Sequence, residues 1–255
     1  MSGPMSTPTS APLALIAGAT SGLGRAVAAQ LAQDGWRLAL VSRAAARLVD
    51  VGPAAALRIE ADVSSADGAR SALTRCEAEL GTPDALVNCA GGTLIAPLHR
   101  TTEAAYRACL AANLDTAFFT LGAFCAALRA AQRPGAAVLV SSVVARVGVA
   151  NHEAIGAAKG AVEALVRSAA ATYAASRIRV NGVAPGIMAT PGTAGLLASD
   201  AARESAAKQY PLGGIGTVEE VAAAVAWLLS PAAARMTGQV LAVDGGFTAV
   251  RPFVR

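Results

Sequence analysis

Aromatic and ionisable side chains are both scarce in this sequence. Phe, Tyr and Trp make up 4% of its 255 residues, and Asp, Glu, Lys and Arg together make up 15%. Hydrophobic residues account for 54%, so the core is built from small aliphatic side chains, and disorder is excluded for most of the chain. Only two histidines are present, and the four cysteines, Cys76, Cys89, Cys109 and Cys125, form no CxxC pair. That excludes a histidine-rich metal site and a disulfide framework, and a reduced, cytoplasmic protein is the simplest reading. Long apolar runs are also missing. Val180 to Ser199 is interrupted by Pro185, Gly186, Pro191 and Gly192, and Val138 to Ala145 is too short to span a bilayer, so no membrane segment is expected. Residues 1–12 lack Lys, Arg and an apolar run. They read as a flexible tail rather than a signal peptide, which leaves 13–255 as one domain. The net charge of +4 comes from scattered basic residues. A polyanionic cofactor explains it more economically than nucleic acid.

What the chain does contain is an alternation. Short aliphatic runs near Leu13–Ala17, Trp36–Ser42, Ala56–Glu60, Ala85–Asn88, Ala137–Ser141, Arg179–Val183 and Val240–Val243 read as strands. Stretches of helical period lie between them, near Gly22–Asp34, Ser65–Leu80, Thr102–Gln132, Asn151–Ala175 and Val218–Leu229. Gly35 and Gly81 stand where helix C-terminal glycines belong, and Thr102 and Thr217 where N-caps belong. This pattern predicts a doubly wound, Rossmann-type α/β fold, with a seven-stranded parallel sheet covered by helices on both faces.

The first strand runs into Gly18-Ala-Thr20-Ser21-Gly22-Leu23-Gly24, which opens a helix. Glycines here let the backbone approach a pyrophosphate, and the free N–H groups of the helix start face its charge. The spacing is GxxxGxG rather than GxGxxG, and a merely structural strand-to-helix turn is the competing reading. The second strand ends at Ser42-Arg43 with no carboxylate to accept hydrogen bonds from the adenosine ribose. Arg43, with Ser42, would instead pair with a 2′-phosphate, which favours NADP(H) over NAD(H). A solvated surface arginine is the alternative.

Further markers follow in order: Asp62-Val63, Asn88-Cys-Ala90-Gly91, Asn113, Ser141-Ser142, Lys159, Pro185-Gly186 with Thr190, and Asp244-Gly-Gly246. From Leu13 to Gly246 the chain resembles the short-chain dehydrogenase/reductase family, in its branch of about 250 residues, and looks most like bacterial 3-oxoacyl-carrier-protein reductases. The resemblance implies that Asp62 and Val63 flank the adenine and that Asn88, Ala90 and Gly91 line the cofactor, Asn88 also tying strand ends together. It implies that Pro185, Gly186, Ile187 and Thr190 meet the nicotinamide. In the family a serine holds the substrate oxygen and a tyrosine exchanges its proton. A lysine binds the nicotinamide ribose and lowers the tyrosine's pKa, and an asparagine helps hold a water chain to the lysine. Ser142, Lys159 and Asn113 match the serine, lysine and asparagine. The resemblance also suggests a homotetramer, or a homodimer, built through the long helices.

One member of that set is missing. The tyrosine is expected thirteen residues after Ser142 and four before Lys159, and position 155 is isoleucine. Tyr106, Tyr173 and Tyr210 fall in other elements or several turns away, and none reads as a replacement. A general acid or base is worth ~10²–10⁴ in rate, about 3–5 kcal/mol. Three accounts stay open. His152, three residues before Ile155 and seven before Lys159, would share their helix face and supply the proton, with Glu153 rotated off that face and a water relayed through Lys159 and Asn113 as a further possibility. Alternatively, the chain binds cofactor without turnover, as a sensor or the inactive partner in an oligomer. Or the substrate carries its own proton relay.

The expectation is an NAD(P)(H)-dependent oxidoreductase that interconverts a small-molecule carbonyl and alcohol with a non-standard proton donor. Ser142, His152, Ile155 and Met188 are the candidate substrate contacts. The segment from Thr190 to Tyr210 reads either as an apolar lid over the substrate or as an ordinary surface helix with flexible ends.

Overall fold

The computed structural model describes residues 11–251. All but the last two residues of the N-terminal tail, and residues 252–255, lie outside that range. Seven strands form one parallel sheet: β1 (Leu13–Ala17), β2 (Arg37–Ser42), β3 (Leu57–Glu60), β4 (Ala85–Asn88), β5 (Gly135–Val140), β6 (Ile178–Pro185) and β7 (Val240–Val243). Their spatial order is β3-β2-β1-β4-β5-β6-β7. β1 and β4 are buried along their whole length, which is why the sequence there is continuously apolar rather than alternating.

Helices cover both faces. On one, α1 (Gly22–Gln33) and α7 (Val218–Leu229) set Val27, Leu31, Val225 and Leu228 against Ile16, Leu40 and Val138. On the other, α2 (Ala66–Leu80), α4 (Thr116–Ala130) and α5 (Glu153–Tyr173) bring Leu73, Phe124 and Val162 onto Leu15, Leu86 and Leu139. β1 has β2 on one side and β4 on the other, so the chain winds outward in both directions from this point. A crevice opens there, at the carboxyl ends of the strands.

Three local readings are corrected, and one left open gains a helix. The helix expected over Thr102–Gln132 is α3 (Glu103–Leu110), a five-residue π-helical turn over Ala111–Asp115, and α4. Asn113 lies inside the turn and bonds across to Gly92, and its bonds accompany the widened helix. By length and composition Glu103–Ala130 is also apolar enough to cross a membrane, which the search for uninterrupted runs passed over. Its Leu121, Phe124, Cys125 and Leu128 are buried under the sheet, as in a core helix.

Next, α5 begins at Glu153 rather than Asn151. Asn151 takes a left-handed φ of 64° and His152 is the N-cap residue, so His152 precedes the helix instead of sharing its face. β6 runs past its expected end at Val183 to Pro185, which pairs opposite Val243. Finally, the Thr190–Tyr210 segment contains a short helix, α6 (Asp200–Ala207), capped by Ser199.

Candidate functional site

The crevice holds two adjoining cavities. The first, ≈ 370 Å³, lies over β1 and β2 and is lined by Gly18, Thr20, Ser21, Ser42, Arg43, Asp62, Val63, Ala90 and Gly91. The strand-to-helix turn is held from several sides. Val41 O accepts from both Gly18 N (3.1 Å) and Ala19 N (3.2 Å), and Ser21 Oγ caps α1 by accepting from Gly24 N at 2.9 Å. Gly18 has φ +71°, and a Cβ there would collide with the Ala90 main chain. Two chain segments therefore meet with no side chain between them, leaving main-chain groups to face the cavity. Gly22 and Gly24 belong to the same turn, while the Leu23 side chain is buried in the core behind it.

Thr20 Oγ1 and Ser42 Oγ lie 3.3 Å apart at the cavity rim. Arg43 and Arg47 are both exposed and both line this end. Arg47 was missed in the sequence; its i+4 spacing from Arg43 was the available signal. The Asp62 carboxyl accepts from the Ser64 hydroxyl (2.7 Å) and the Ser64 N–H (3.0 Å). These bonds, aided by Arg43, hold its pKa below the ordinary carboxylate range despite some burial. Asp62 is thus both a turn residue and a cavity wall.

Between the cavities is a polar spine. Asn88 Nδ2 donates to Thr120 Oγ1 (2.9 Å) and Asn88 Oδ1 accepts from Ala90 N (3.1 Å). It therefore fastens the end of β4 to α4 and to its own loop, and these bonds do not run to a neighbouring strand as expected. Asn113 Oδ1 accepts from Gly92 N at 3.2 Å, and its Nδ2 donates to Gly92 O (3.1 Å) and Cys109 O (2.9 Å). Asn113 thus staples the Gly91–Gly92 backbone to the π-helical turn. Lys159 Nζ donates to Val140 O at 2.8 Å. A Cβ added to Gly91 would come within 3.5 Å of that Nζ and 2.9 Å of Asn113 Oδ1, so the lysine and asparagine meet beside this glycine. Burial lowers the Lys159 pKa to about 8.

The second cavity, ≈ 480 Å³, is lined by Thr93, Ser142, His152, Ile155, Gly186, Ile187, Met188 and Thr190, among others. Ser142 caps a short 3-10 turn, its Oγ 3.4 Å from Val144 N, whereas Ser141 turns inward to Glu163 Oε1 at 3.1 Å. His152 Nδ1 lies 2.8 Å from Ala150 O. Because a carbonyl only accepts, Nδ1 carries the hydrogen and Nε2 is the ring's other site. Ile155 presents a hydrocarbon wall and is 6% exposed, packed with Cys109, Ala154 and Ala158. Thr190 forms a reciprocal cap with Thr193. A Cβ on Gly22 would approach Thr190 Cγ2 to 2.9 Å, so the first turn and this loop close on each other across the crevice.

One tyrosine set aside as a replacement for the proton donor nevertheless borders the site. Tyr210 lines the second cavity and its Oη accepts from Ile187 N at 2.7 Å. It lies far from Ser142 in sequence, and only the path of the chain after α6 reveals the proximity. Tyr106 is on exposed α3, Tyr173 packs against the α2/α4/α5 core, and Glu153 lines a separate groove with Tyr106.

A crevice with a glycine-rich turn at a helix start, two arginines at one end and a hydroxyl and an imidazole at the other suits a long, anionic, two-headed ligand beside a small apolar one. The comparisons agree with this shape. The chain matches the family model for enoyl-(acyl carrier protein) reductase over residues 18–248. It is 42% identical over 245 residues to a cis-4-hydroxycyclohexanecarboxylate dehydrogenase of Sinomonas cyclohexanicum, covering 93% of this chain and 97% of that protein. A further relative, 38% identical over 224 residues, is an inactive 2-(S)-hydroxypropyl-CoM dehydrogenase 2 of Xanthobacter autotrophicus, with 85% of this chain and 96% of that one covered. Among solved structures, a short-chain type dehydrogenase/reductase from Mycobacterium ulcerans superposes with a TM-score of 0.88 at 30% identity, covering 95% of this chain and 91% of that one. A 3-ketoacyl-(acyl-carrier-protein) reductase from Brucella melitensis complexed with NADH superposes with a TM-score of 0.86 at 25% identity, covering 94% and 99%.

Proposed function

The chain belongs to the short-chain dehydrogenase/reductase family, and from that premise we propose that it is an NADP(H)-preferring oxidoreductase that interconverts a carbonyl and an alcohol without a phenol at position 155. The observation that carries this reading is the second cavity, where Ser142, His152 and an aliphatic Ile155 share one lining while the turn and lysine of the cofactor crevice are intact. The residues suit a dinucleotide: Gly18 lets the turn and the Ala90 main chain close together at the cavity wall where any Cβ would collide, and Arg43 and Arg47 supply cationic donors at its far end. When bound, the nicotinamide supplies or accepts the hydride.

The protein's own residues divide the remaining work. The turn from Gly18 to Gly24 binds the pyrophosphate through main-chain N–H groups, and Arg43 with Arg47 holds a 2′-phosphate. Lys159 holds the nicotinamide ribose, oriented by Val140 O. Ser142 holds the reacting oxygen of the substrate. His152 is oriented through Nδ1 by Ala150 O and, when protonated, holds at Nε2 the proton that the oxygen takes up. We place the protein in the cytoplasm as a homotetramer or homodimer. Phe118 of α4 and Trp227 of α7, 54% and 42% exposed, are apolar groups that such an assembly would cover.

The test is NADPH oxidation against a carbonyl panel in which cyclohexane-ring ketones come first, because the Sinomonas relative is named for a ring alcohol. His152→Ala is expected to lower the rate at least about tenfold and to change its pH profile. An unchanged profile removes the imidazole from the mechanism. A second reading, cofactor binding without turnover as a sensor or oligomer partner, is favoured by Ile155 itself and by the relative described as inactive. Tight NADPH binding with no turnover of any carbonyl selects it.

A further inference from the structure

We propose that the second cavity takes a compact, uncharged ketone or secondary alcohol that carries another acceptor oxygen, and that Tyr210 donates its phenolic hydrogen to that second oxygen. The inference rests on the carbonyl–alcohol reading of the same site and names its substrate class.

Tyr210 is pinned in place. Its ring tilts against Phe247 with centroids 5.3 Å apart, and it lies over Gly186, where an added Cβ would come within 2.7 Å of Tyr210 Cε1. Its Oη accepts from Ile187 N at 2.7 Å. A phenol that accepts still has one hydrogen to give. No protein acceptor takes that hydrogen among the described residues, and the group borders the cavity shared with Ser142 and His152. Burial, with a contribution from Asp244, pushes the Tyr210 pKa up, and no lysine or arginine among the described residues lines the cavity to bring it back. Tyr210 therefore holds its hydrogen as a bond donor and does not release it as an acid.

The rest of the lining fixes the charge and size of the occupant. Among the described residues no Asp, Glu, Lys or Arg borders this cavity; His152 and Tyr210 are its only titratable groups. A carboxylate, sulfonate or phosphate entering it would lose hydration without gaining a permanent cation. Ile95, Val144, Val149, Met188 and Leu196 give it apolar walls, and ≈ 480 Å³ has to serve both the reacting end of the cofactor and the substrate. That suits a single ring or a short branched chain.

The experiment is calorimetric titration of four ketones into the protein saturated with NADP⁺, so that binding is read without reaction. The ligands are cyclohexanone, cyclohexane-1,4-dione, 4-oxocyclohexanecarboxylate and its methyl ester. The wild type is expected to bind the ester about tenfold or more tightly than the carboxylate. It is expected to bind the dione about fivefold more tightly than cyclohexanone. Tyr210→Phe keeps the ring on Phe247 and Gly186, and it is expected to abolish the dione's advantage while leaving cyclohexanone within about twofold. A carboxylate that binds as well as the ester overturns the charge argument and needs no variant. A dione advantage that survives Tyr210→Phe, or an equal loss for both ketones, overturns the role of the hydroxyl. Turnover of the same ketones with NADPH is measured separately. Preserved binding preferences without turnover defeat the oxidoreductase reading and leave this one standing, and turnover without the preferences does the reverse.

Discussion

The two ends of the crevice are built by different means. At the adenosine end the constraint lies in the backbone: Gly18 has a positive φ and no room for a side chain, and Val41 O takes two consecutive N–H groups of the turn. At the other end the backbone frame is intact and the chemistry lies in side chains on that frame, with His152 and Ile155 at the start of α5 and Tyr210 after α6. One end is set by the backbone and the other by side chains, so the cofactor frame alone says little about which group moves the proton.

That contrast is sharpest in substitutions that harm one end and spare the other. Gly18→Ala has the largest expected effect. The strained φ and the collision with Ala90 should weaken NADPH binding by about a hundredfold or more, read by nucleotide fluorescence with circular dichroism as a control for folding. Ser142→Ala should leave NADPH affinity nearly unchanged and lower kcat/KM by ~10²–10³, because only the bond to the reacting oxygen is lost. A matching fall in cofactor affinity would show that the two ends are not separable. Arg43→Ala combined with Arg47→Ala should reduce the preference for NADPH over NADH by about tenfold, with NADH affinity little changed. Equal losses for both nucleotides would make the arginines a general electrostatic feature.

The smallest effect is one of pH. Lys159 has a pKa lowered by burial to about 8 from 10.5, so its charge is lost as pH rises through about 8, and affinity for the anionic cofactor should decline by a few-fold there. The sign for stability is opposite. The folded state sheds this proton before the unfolded chain does, so the cost of the buried ammonium is relieved as pH climbs from about 8 toward 10.5. Lys159→Met should flatten the decline in affinity.

The sequence was informative where local physics dictates the structure. The seven strands lie within a few residues of their predicted places, because a doubly covered parallel sheet demands continuous apolar runs. Thr102 and Thr217 cap their helices, the latter with Glu220 in a reciprocal box, because that spacing is set by the first helical turn. The π-helical turn at Asn113 was not legible, since it goes with a long-range bond to Gly92. His152 proved to lie before the helix because Asn151 takes a left-handed turn that hydrophobic period does not reveal. The nearness of Tyr210 to the site was hidden for the same reason in stronger form: its hydroxyl meets Ile187 only after the chain has folded α6 back over the crevice.

The central claim is that hydride exchange with a carbonyl carbon proceeds here although position 155 offers only hydrocarbon. The most direct measurement is isotope transfer: the protein is incubated with NADPH deuterated at the nicotinamide C4 and a neutral cyclohexane-ring ketone, and the product alcohol is analysed by mass spectrometry. The account predicts deuterium on the carbinol carbon, formed by the wild type and about tenfold more slowly by His152→Ala. Saturating nucleotide binding with no label in any alcohol would contradict it.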